Sequence, residues 1–151
     1  MIAIPLAMVA RLEEFPVYLV ERAGSRRVVQ YRGAILHLLD VARELRKLQR
    51  KTDGTTRRRK PKTDTAVSFE MGEVPTTHVV VYAGASGQIG LVVESILDIV
   101  EDEVAIQSQA NRLGVLFTAV VHGRVTEFLD VEQLIETSQL TSGSHSAKEL
   151  V

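Results

Sequence analysis

The sequence predicts an all-β protein made of two small, related β-subdomains with a few short helices. The chain has 151 residues, of which 45% are hydrophobic, enough for a core in one domain or in two tightly joined small ones. Short runs rich in valine, isoleucine and leucine are separated by glycine, serine or aspartate, a pattern typical of strands joined by tight turns. An internal repeat accounts for the two subdomains.

Two pairs of segments carry the repeat. Residues 32–41 (RGAILHLLDV) align with residues 122–131 (HGRVTEFLDV) at an offset of 90, with identical residues at four positions. Residues 3–14 align with residues 90–101 through their apolar positions, at an offset of 87. Two nearly equal offsets in the same order indicate a duplication. Chance similarity between short apolar strings is the alternative.

Local patterns assign the elements within each unit. The run from Gly90 to Glu103 also fits a helical stripe, but its valine and isoleucine content favours an extended, bent strand. Its repeat mate contains Pro5, which would cost about 3 kcal/mol inside a helix. Short helices are predicted at Val41 to Leu48 and Val131 to Glu136, each after an aspartate suited to cap a helix N-terminus. The other predicted strands are Arg27 to Tyr31, Ala34 to Leu39, His78 to Tyr82, Gln88 to Glu94, Val115 to Val121 and Arg124 to Leu129.

The repeat also predicts that one strand is missing. In the second unit, THVVVYAG (77–84) is expected to pair with the following GLVVE run across a turn at Ser86 and Gly87. The mate of this strand in the first unit would fall before residue 1. The first subdomain is therefore predicted to lack its opening strand, which would leave backbone donors and acceptors on an unpaired edge.

The stretch between the two units is basic and polar. Residues 43–62 hold ten of the chain's 18 lysines and arginines, against only Glu44 and Asp53. Threonine, aspartate, glycine and proline follow, a composition that favours a disordered linker. The predicted organisation is a domain of two β-subdomains at 1–48 and 77–136, a basic, disordered linker at 49–76 and a polar tail at 137–151.

The charge balance gives no general reason to expect nucleic-acid binding. The net charge is −1 and the sequence pI is about 6.4, whereas attraction to nucleic acid or to an anionic membrane depends on summed positive charge. The RRRK at 57–60 could still contact acidic partners or nucleic acid. A solvated linker is the preferred interpretation.

No residue pattern indicates catalysis, a metal or a cofactor, and the protein is not expected to be an enzyme. The glycines of GASGQIG (84–90) fit a hairpin turn better than a phosphate loop, because the run after them looks extended and has no lysine. The four histidines are far apart and form no i, i+4 pair, which argues against a metal site. The acidic cluster at 101–103 is interpreted as a solvated bend. Ser86 and Ser95 have no recognisable base.

Composition also bears on location. The chain has no cysteine, which removes disulfides and thiolate chemistry and suits a reducing cytosol. The opening MIAIPLAMVARLEEF has no basic region before its apolar residues and soon meets charge at Arg11, Glu13 and Glu14. It resembles neither a signal peptide nor a membrane span. A cytoplasmic location without membrane insertion is expected.

Four segments of the chain form an ordered pattern: AIPLAMVARLEEFP, VVQYRGAILHLLDV, VVVYAGASGQIGLVVESILDIVE and GRVTEFLDVEQLI. Together, in this order, they resemble the CheW-like domain of bacterial chemotaxis. The resemblance covers about residues 2–136 apart from the linker, and it implies two SH3-like five-stranded β-barrels. It also implies an adaptor that joins chemoreceptor cytoplasmic tips to the histidine kinase CheA and packs with other CheW-like domains.

Two versions of this function stay open. VARLEEFP with VVQYRGAILHLL looks closer to the C-terminal regulatory domain of CheA, which would modulate kinase activity, than to the free coupling protein CheW. Arg32 and Gly33 match the family's arginine-glycine motif, and Val9 matches an apolar position near the receptor-facing groove. The partner-binding residues expected from the resemblance are Val9, Arg11, Arg32, Gly33, Val79, Val93 and Ile96. The absent first strand and the long basic linker depart from the family pattern.

Overall fold

The described part of the chain folds mainly into β-strands and contains two α-helices. The computed structural model describes residues 1–53, 74–85, 87–101, 104–109 and 112–138. The strands are β1 (Ile2–Ala3), β2 (Val9–Pro16), β3 (Glu21–Ala23), β4 (Arg26–Tyr31), β5 (Ala34–Asp40), β6 (Thr76–Gly84), β7 (Gly87–Val93), β8 (Ile106–Gln109), β9 (Val115–Val121) and β10 (Arg124–Leu129). The helices are α1 (Val41–Asp53) and α2 (Val131–Thr137), and single 3-10 turns occupy Leu6–Met8 and Val17–Leu19. The predicted all-β class is confirmed.

The described strands form two open sheets. One has six strands in the order β2-β6-β7-β5-β4-β3, and the other has four in the order β1-β10-β9-β8. Neighbouring strands are antiparallel except in the β5–β7 and β1–β10 pairs, which are parallel. Neither sheet closes into a barrel within the described part of the chain. The predicted β6–β7 hairpin is confirmed, with Gly84 opposite Gly87.

The pairing confirms the internal repeat. Leu38 lies opposite Gly90 in the β5–β7 pair, and Ala3 lies opposite Phe128 in the β1–β10 pair. Leu38 and Phe128 are 90 residues apart, while Ala3 and Gly90 are 87 apart. The two parallel pairs therefore have the same register. Strand β1 of the first half lies beside the β9–β10 hairpin of the second half, and β7 of the second half lies beside the β4–β5 hairpin of the first half. Gln109 pairs with Phe117, eight residues later, whereas Arg22 pairs with Arg27, five residues later, which accounts for the change of offset from 87 to 90.

Both predicted helix caps are present. Asp40 Oδ1 accepts a hydrogen bond from the Arg43 amide at 3.1 Å, and Asp130 Oδ1 accepts one from the Gln133 amide at 3.2 Å. Each aspartate satisfies one of the amides that a helix N-terminus leaves without an intrahelical partner. The two caps are again 90 residues apart, so the strand-to-helix junction is repeated with the strands.

Three predicted boundaries need correction. Helix α1 continues to Asp53 and β6 begins at Thr76, so the predicted linker at 49–76 is helical at its start and ends on the first residue of a strand. The predicted strand from Gly90 is correct only to Val93, because residues 94–101 lie in neither helix nor strand. Residues 54–73, with the RRRK run, and the tail beyond 138 lie outside the described residues.

A central core joins the two halves. It contains matched residues from both halves, Leu39 with Leu129 and Val41 with Val131. Its buried members are Leu39, Val41, Leu45, Leu48, Val80, Tyr82, Ile89, Leu91, Leu129, Val131, Leu134 and Ile135. Because both helices and both sheets contribute, the halves share one hydrophobic interior.

A second cluster, here called the lateral core, belongs to the six-stranded sheet. Its buried members are Phe15, Val29, Leu36, Leu38, Val79 and Val81. Strand β6 is apolar toward both cores, since successive side chains of a strand point to opposite faces. Val79 and Val81 enter the lateral core, whereas Val80 and Tyr82 enter the central core.

Candidate partner-binding site

The tip of the β4–β5 hairpin holds Arg32 in an unusual backbone conformation. Arg32 has φ +50° and Gly33 has φ +76°, and Tyr31 pairs with Ala34 across the two-residue turn. Two left-handed residues define a type I′ turn, which matches the twist of the flanking strands. Glycine adopts this conformation without strain, whereas an arginine in it costs about 1 kcal/mol. The turn therefore explains Gly33 but not the choice of arginine at position 32.

The Arg32 side chain lies against a short chain of contacts. Its guanidinium carbon is 5.6 Å from the centre of the Tyr31 ring, within the range of a cation–π interaction. The Tyr31 hydroxyl donates to Glu13 Oε1 at 3.2 Å, and the same oxygen lies 3.8 Å from an Arg11 guanidinium nitrogen. The Phe15 ring meets the Tyr31 ring edge to face at 6.0 Å.

These contacts join strands that are not neighbours in the sheet order. Glu13 is on β2, at one edge of the six-stranded sheet, and Tyr31 is on β4, near the other edge. The sheet must curl for the two side chains to meet. The curl places Arg11 and Arg32 on either side of the Glu13–Tyr31 hydrogen bond, and we call these four residues the arginine surface.

The arginine surface is accessible. The Arg11 side chain is 53% exposed, and Arg32 is also exposed. Ile35, which is 65% exposed, shares a shallow depression with Arg32 and Gly33. An exposed ion pair such as Arg11–Glu13 contributes about 0–1 kcal/mol, so its groups can be recruited by a partner at little cost.

The other predicted partner-binding residues lie elsewhere. Val79 has no exposed surface and belongs to the lateral core, so it cannot contact a partner, and its prediction as a binding residue was wrong. Val9 and Val93 are partly buried and pack against the central core. Ile96 is 36% exposed and follows the end of β7. Of the predicted set, the observed contacts connect Arg11 and Arg32.

Sequence reasoning missed the residues that connect these two arginines. Glu13 and Tyr31 are 18 positions apart, and no local pattern relates β2 to β4. Tyr31 directly precedes the arginine-glycine pair, which is the one sequence signal that could have drawn attention to it. Ile35 could have been found from its register, because it pairs with the polar Gln30 on the outer side of the hairpin.

The second half of the chain does not repeat the arginine surface. His122 occupies the matching turn position with φ +49°, and Gly123 follows with φ +73°. The repeat mates of Arg11, Glu13, Tyr31 and Arg32 are Asp98, Val100, Val121 and His122. The same hairpin is thus built without the arginines, which indicates that the fold does not require them.

A second polar contact is structural. The Tyr82 hydroxyl donates to Glu132 Oε1 at 3.2 Å, joining β6 to α2. Burial raises the pKa of Tyr82 to about 12, with a further contribution from the charges of Glu132 and Asp130.

In the described ranges no three histidine, aspartate or glutamate side chains lie together as a metal site would need. No helix there has both the length and the apolar character to cross a membrane.

Comparison with known proteins adds no assignment. No model of a known protein family matches this chain, and no curated protein matches it either. The likeness to CheW-like domains accordingly stays a prediction from the four sequence segments.

Proposed function

We propose that this protein is a non-catalytic chemotaxis adaptor or regulatory domain, which links chemoreceptor tips to a CheA-type histidine kinase through protein-protein contacts. The observation that carries the proposal is Arg32. An arginine occupies a left-handed turn position and is linked through Tyr31 and Glu13 to a second exposed arginine, whereas the repeat mate of the turn has neither arginine. Arginine is enriched at interface hot spots because its planar group makes several directional hydrogen bonds.

The proposal includes the finer fold implied by the resemblance. Five strands of the larger sheet, β2, β6, β7, β5 and β4, would correspond to one SH3-like barrel. The Glu13–Tyr31 hydrogen bond between the first and last of these strands supports this correspondence. The four-stranded sheet would be the second barrel without one of its strands. Other CheW-like domains would be further partners, and such a complex would place the protein in the cytoplasm.

The alternative within this proposal is a C-terminal regulatory domain of CheA itself. It is favoured by the likeness of VARLEEFP and VVQYRGAILHLL to that version of the domain. The two versions differ in one measurable property. We expect a regulatory domain fused to the kinase to change autophosphorylation without receptor, and a free coupler to change it only when receptor is present.

The test is a substitution that keeps the turn and removes the guanidinium. Arg32→Asn suits the position, because asparagine tolerates the left-handed conformation. We expect an unchanged or slightly higher Tm by calorimetry. We also expect binding to receptor tip and kinase to weaken about 30-fold, the equivalent of about 2 kcal/mol for a hot-spot residue. Arg32→Ala should weaken binding similarly.

The second half provides a matched control. His122→Asn makes the same change at the same backbone geometry and should alter neither Tm nor binding. If Arg32→Asn folds and binds receptor and kinase as well as the unchanged protein does, Arg32 is only a hairpin tip and the proposal fails. If Arg32→Asn unfolds the domain, the arginine has a structural role and the functional argument is wrong.

A further inference from the structure

A surface cavity of about 250 Å³ lies beside the lateral core. Its walls include Leu38, which is buried in the lateral core, together with Val20 and Val92, which pack against that core. The exposed residues Arg22 and Arg27 line the same cavity. The cavity therefore combines an apolar wall with two positively charged groups.

The register of the sheet holds the two arginines side by side. Arg22 of β3 pairs with Arg27 of β4, and Arg27 in turn pairs with Leu38 of β5. Side chains of directly opposite residues lie on the same face of a sheet, with Cβ atoms about 4.5–5.5 Å apart. Because Leu38 enters the lateral core, both arginines extend from the inner face of the curled sheet.

No acidic side chain neutralises these arginines within the described ranges. Neither Arg22 nor Arg27 belongs to an ion pair there. Glu21, which precedes Arg22, pairs with Val28 and therefore points to the opposite face of the sheet. Like charges directly opposite each other destabilise a pair of strands. An anion between the two guanidiniums would remove this repulsion.

The second half builds the same register without charge and fills it with aromatic rings. The repeat mates of Arg27 and Leu38 are Phe117 and Phe128, whose rings stack with their centroids 4.5 Å apart. Phe117 pairs with the uncharged Gln109, the mate of the other arginine. The fold therefore accepts uncharged residues at both arginine positions, and neither arginine is needed to form the sheet.

We propose that this cavity binds a small organic carboxylate with an apolar body. The carboxylate lies between the guanidiniums of Arg22 and Arg27, and the apolar body covers Leu38 and Val92. A guanidinium matches the geometry of a carboxylate and binds it through paired N–H donors. This inference goes beyond the proposed signalling function and does not depend on it.

Charge and size favour this ligand over a larger or more highly charged one. A carboxylate has a single negative charge and loses less hydration against apolar walls than a phosphate dianion does. The cavity is also smaller than the roughly 300–1,000 Å³ of pockets that hold drug-sized ligands. A free carboxylic acid and the C-terminus of a peptide both offer this chemistry, and hexanoate and N-acetyl-leucine are the respective probes.

The test is a titration of the full chain with each probe, followed by the backbone amide signals in NMR spectra. We expect saturable shifts at Val20, Arg27, Leu38 and Val92, with a Kd of about 1 mM or lower for at least one probe. The stronger probe identifies the source of the carboxylate. Acetate lacks the apolar body and hexanamide lacks the charge. Each should bind at least about tenfold more weakly than the stronger probe, since one buried CH2 group alone contributes about fourfold.

Variants separate the two arginines from general charge effects. Arg22→Gln and Arg27→Gln should each weaken binding about tenfold, because each removes charge-assisted hydrogen bonds, and should leave the Tm unchanged or slightly higher. Arg124→Gln makes the same charge change at an exposed position of β10 and should alter neither binding nor Tm. The double variant Arg22→Gln/Arg27→Phe reproduces the residues of the second half and should fold without binding.

The proposal is overturned if neither probe gives saturable shifts, or if the stronger probe binds Arg22→Gln and Arg27→Gln as tightly as the unchanged protein. Equally tight binding of acetate or hexanamide would also overturn it, because the apolar body or the charge would then be unnecessary. An equal loss in Arg124→Gln would show a general attraction of anions rather than a site. If a single variant unfolds, the double variant decides: retained binding overturns the proposal and lost binding supports it.

Discussion

Replacement of Gly90 by alanine should destabilise the protein by overpacking the lateral core. A Cβ on Gly90 would lie 2.5 Å from Leu38 Cδ2, 2.9 Å from Val79 Cγ1 and 3.2 Å from Leu36 Cδ2. Leu36 is 3% exposed and Val79 is fully buried, so neither can move aside into solvent. The backbone of Gly90 is outside the left-handed region, and the cost therefore comes from packing. We expect about 2 kcal/mol of lost unfolding free energy, or a Tm lower by about 4–8 °C.

Urea unfolding and calorimetry would measure this loss, and Val79 offers a check on its cause. Val79→Ala removes the Cγ1 atom that the new Cβ meets. The double variant should therefore be more stable than the sum of the two single losses predicts, by at least about 0.5 kcal/mol. Ala3, the repeat mate of Gly90, already carries a Cβ, so the matched position tolerates one. A Gly90→Ala change within about 0.5 kcal/mol of the unchanged protein would refute the packing argument.

Two further predictions concern the junctions between strands and helices. Asp40→Ala and Asp130→Ala should each cost about 1 kcal/mol in chemical denaturation, because each removes a helix cap; equal stability would show that the capping bonds contribute nothing. The raised pKa of Tyr82 means that the folded state holds the phenol proton more tightly than the unfolded state. Its contribution to stability should be complete below about pH 10 and decline as pH rises toward about 12. The free energy of unfolding of Tyr82→Phe and of the unchanged protein, measured by chemical denaturation at about pH 9 and about pH 11, would test this. The variant should lack the part of the decline with pH that Tyr82 causes.

Local features of the fold were predictable because their causes are local. The observed β9 and β10 have the bounds that alternation and turn residues indicate, and both aspartate caps lie at the predicted junctions. The repeat in the sequence also anticipated the repeated register. The exchange of strands between halves was not predictable. The β2–β6 and β1–β10 pairings depend on contacts between distant parts of the chain, for which short-range periodicity has no signal.

The candidate site also contains residues that the sequence could predict and contacts that it could not. Arg32 and Gly33 could be predicted, because a two-residue turn between alternating runs has a recognisable sequence. The burial of Val79 was missed, since β6 is covered on both faces and a continuous apolar run does not tell which strand will be central. The Tyr31–Glu13 contact required knowledge of how the sheet curls. A contact that depends on the curvature of the sheet cannot be predicted from the residue spacing within either strand.

The parallel pairing of β1 with β10 limits how early these two strands can pair during translation. Ile2 pairs with Glu127, 125 residues later, and the Glu127 amide donates to the Met1 carbonyl at 2.9 Å. At about 5–20 residues per second, roughly 6–25 s separate the translation of the two strands. During that interval a nascent chain exposes Ile2 and Ile4 without their final neighbours. The β1–β10 pair therefore cannot form until β10 has left the ribosome, and a stalled ribosome would leave β1 unpaired and open to aggregation.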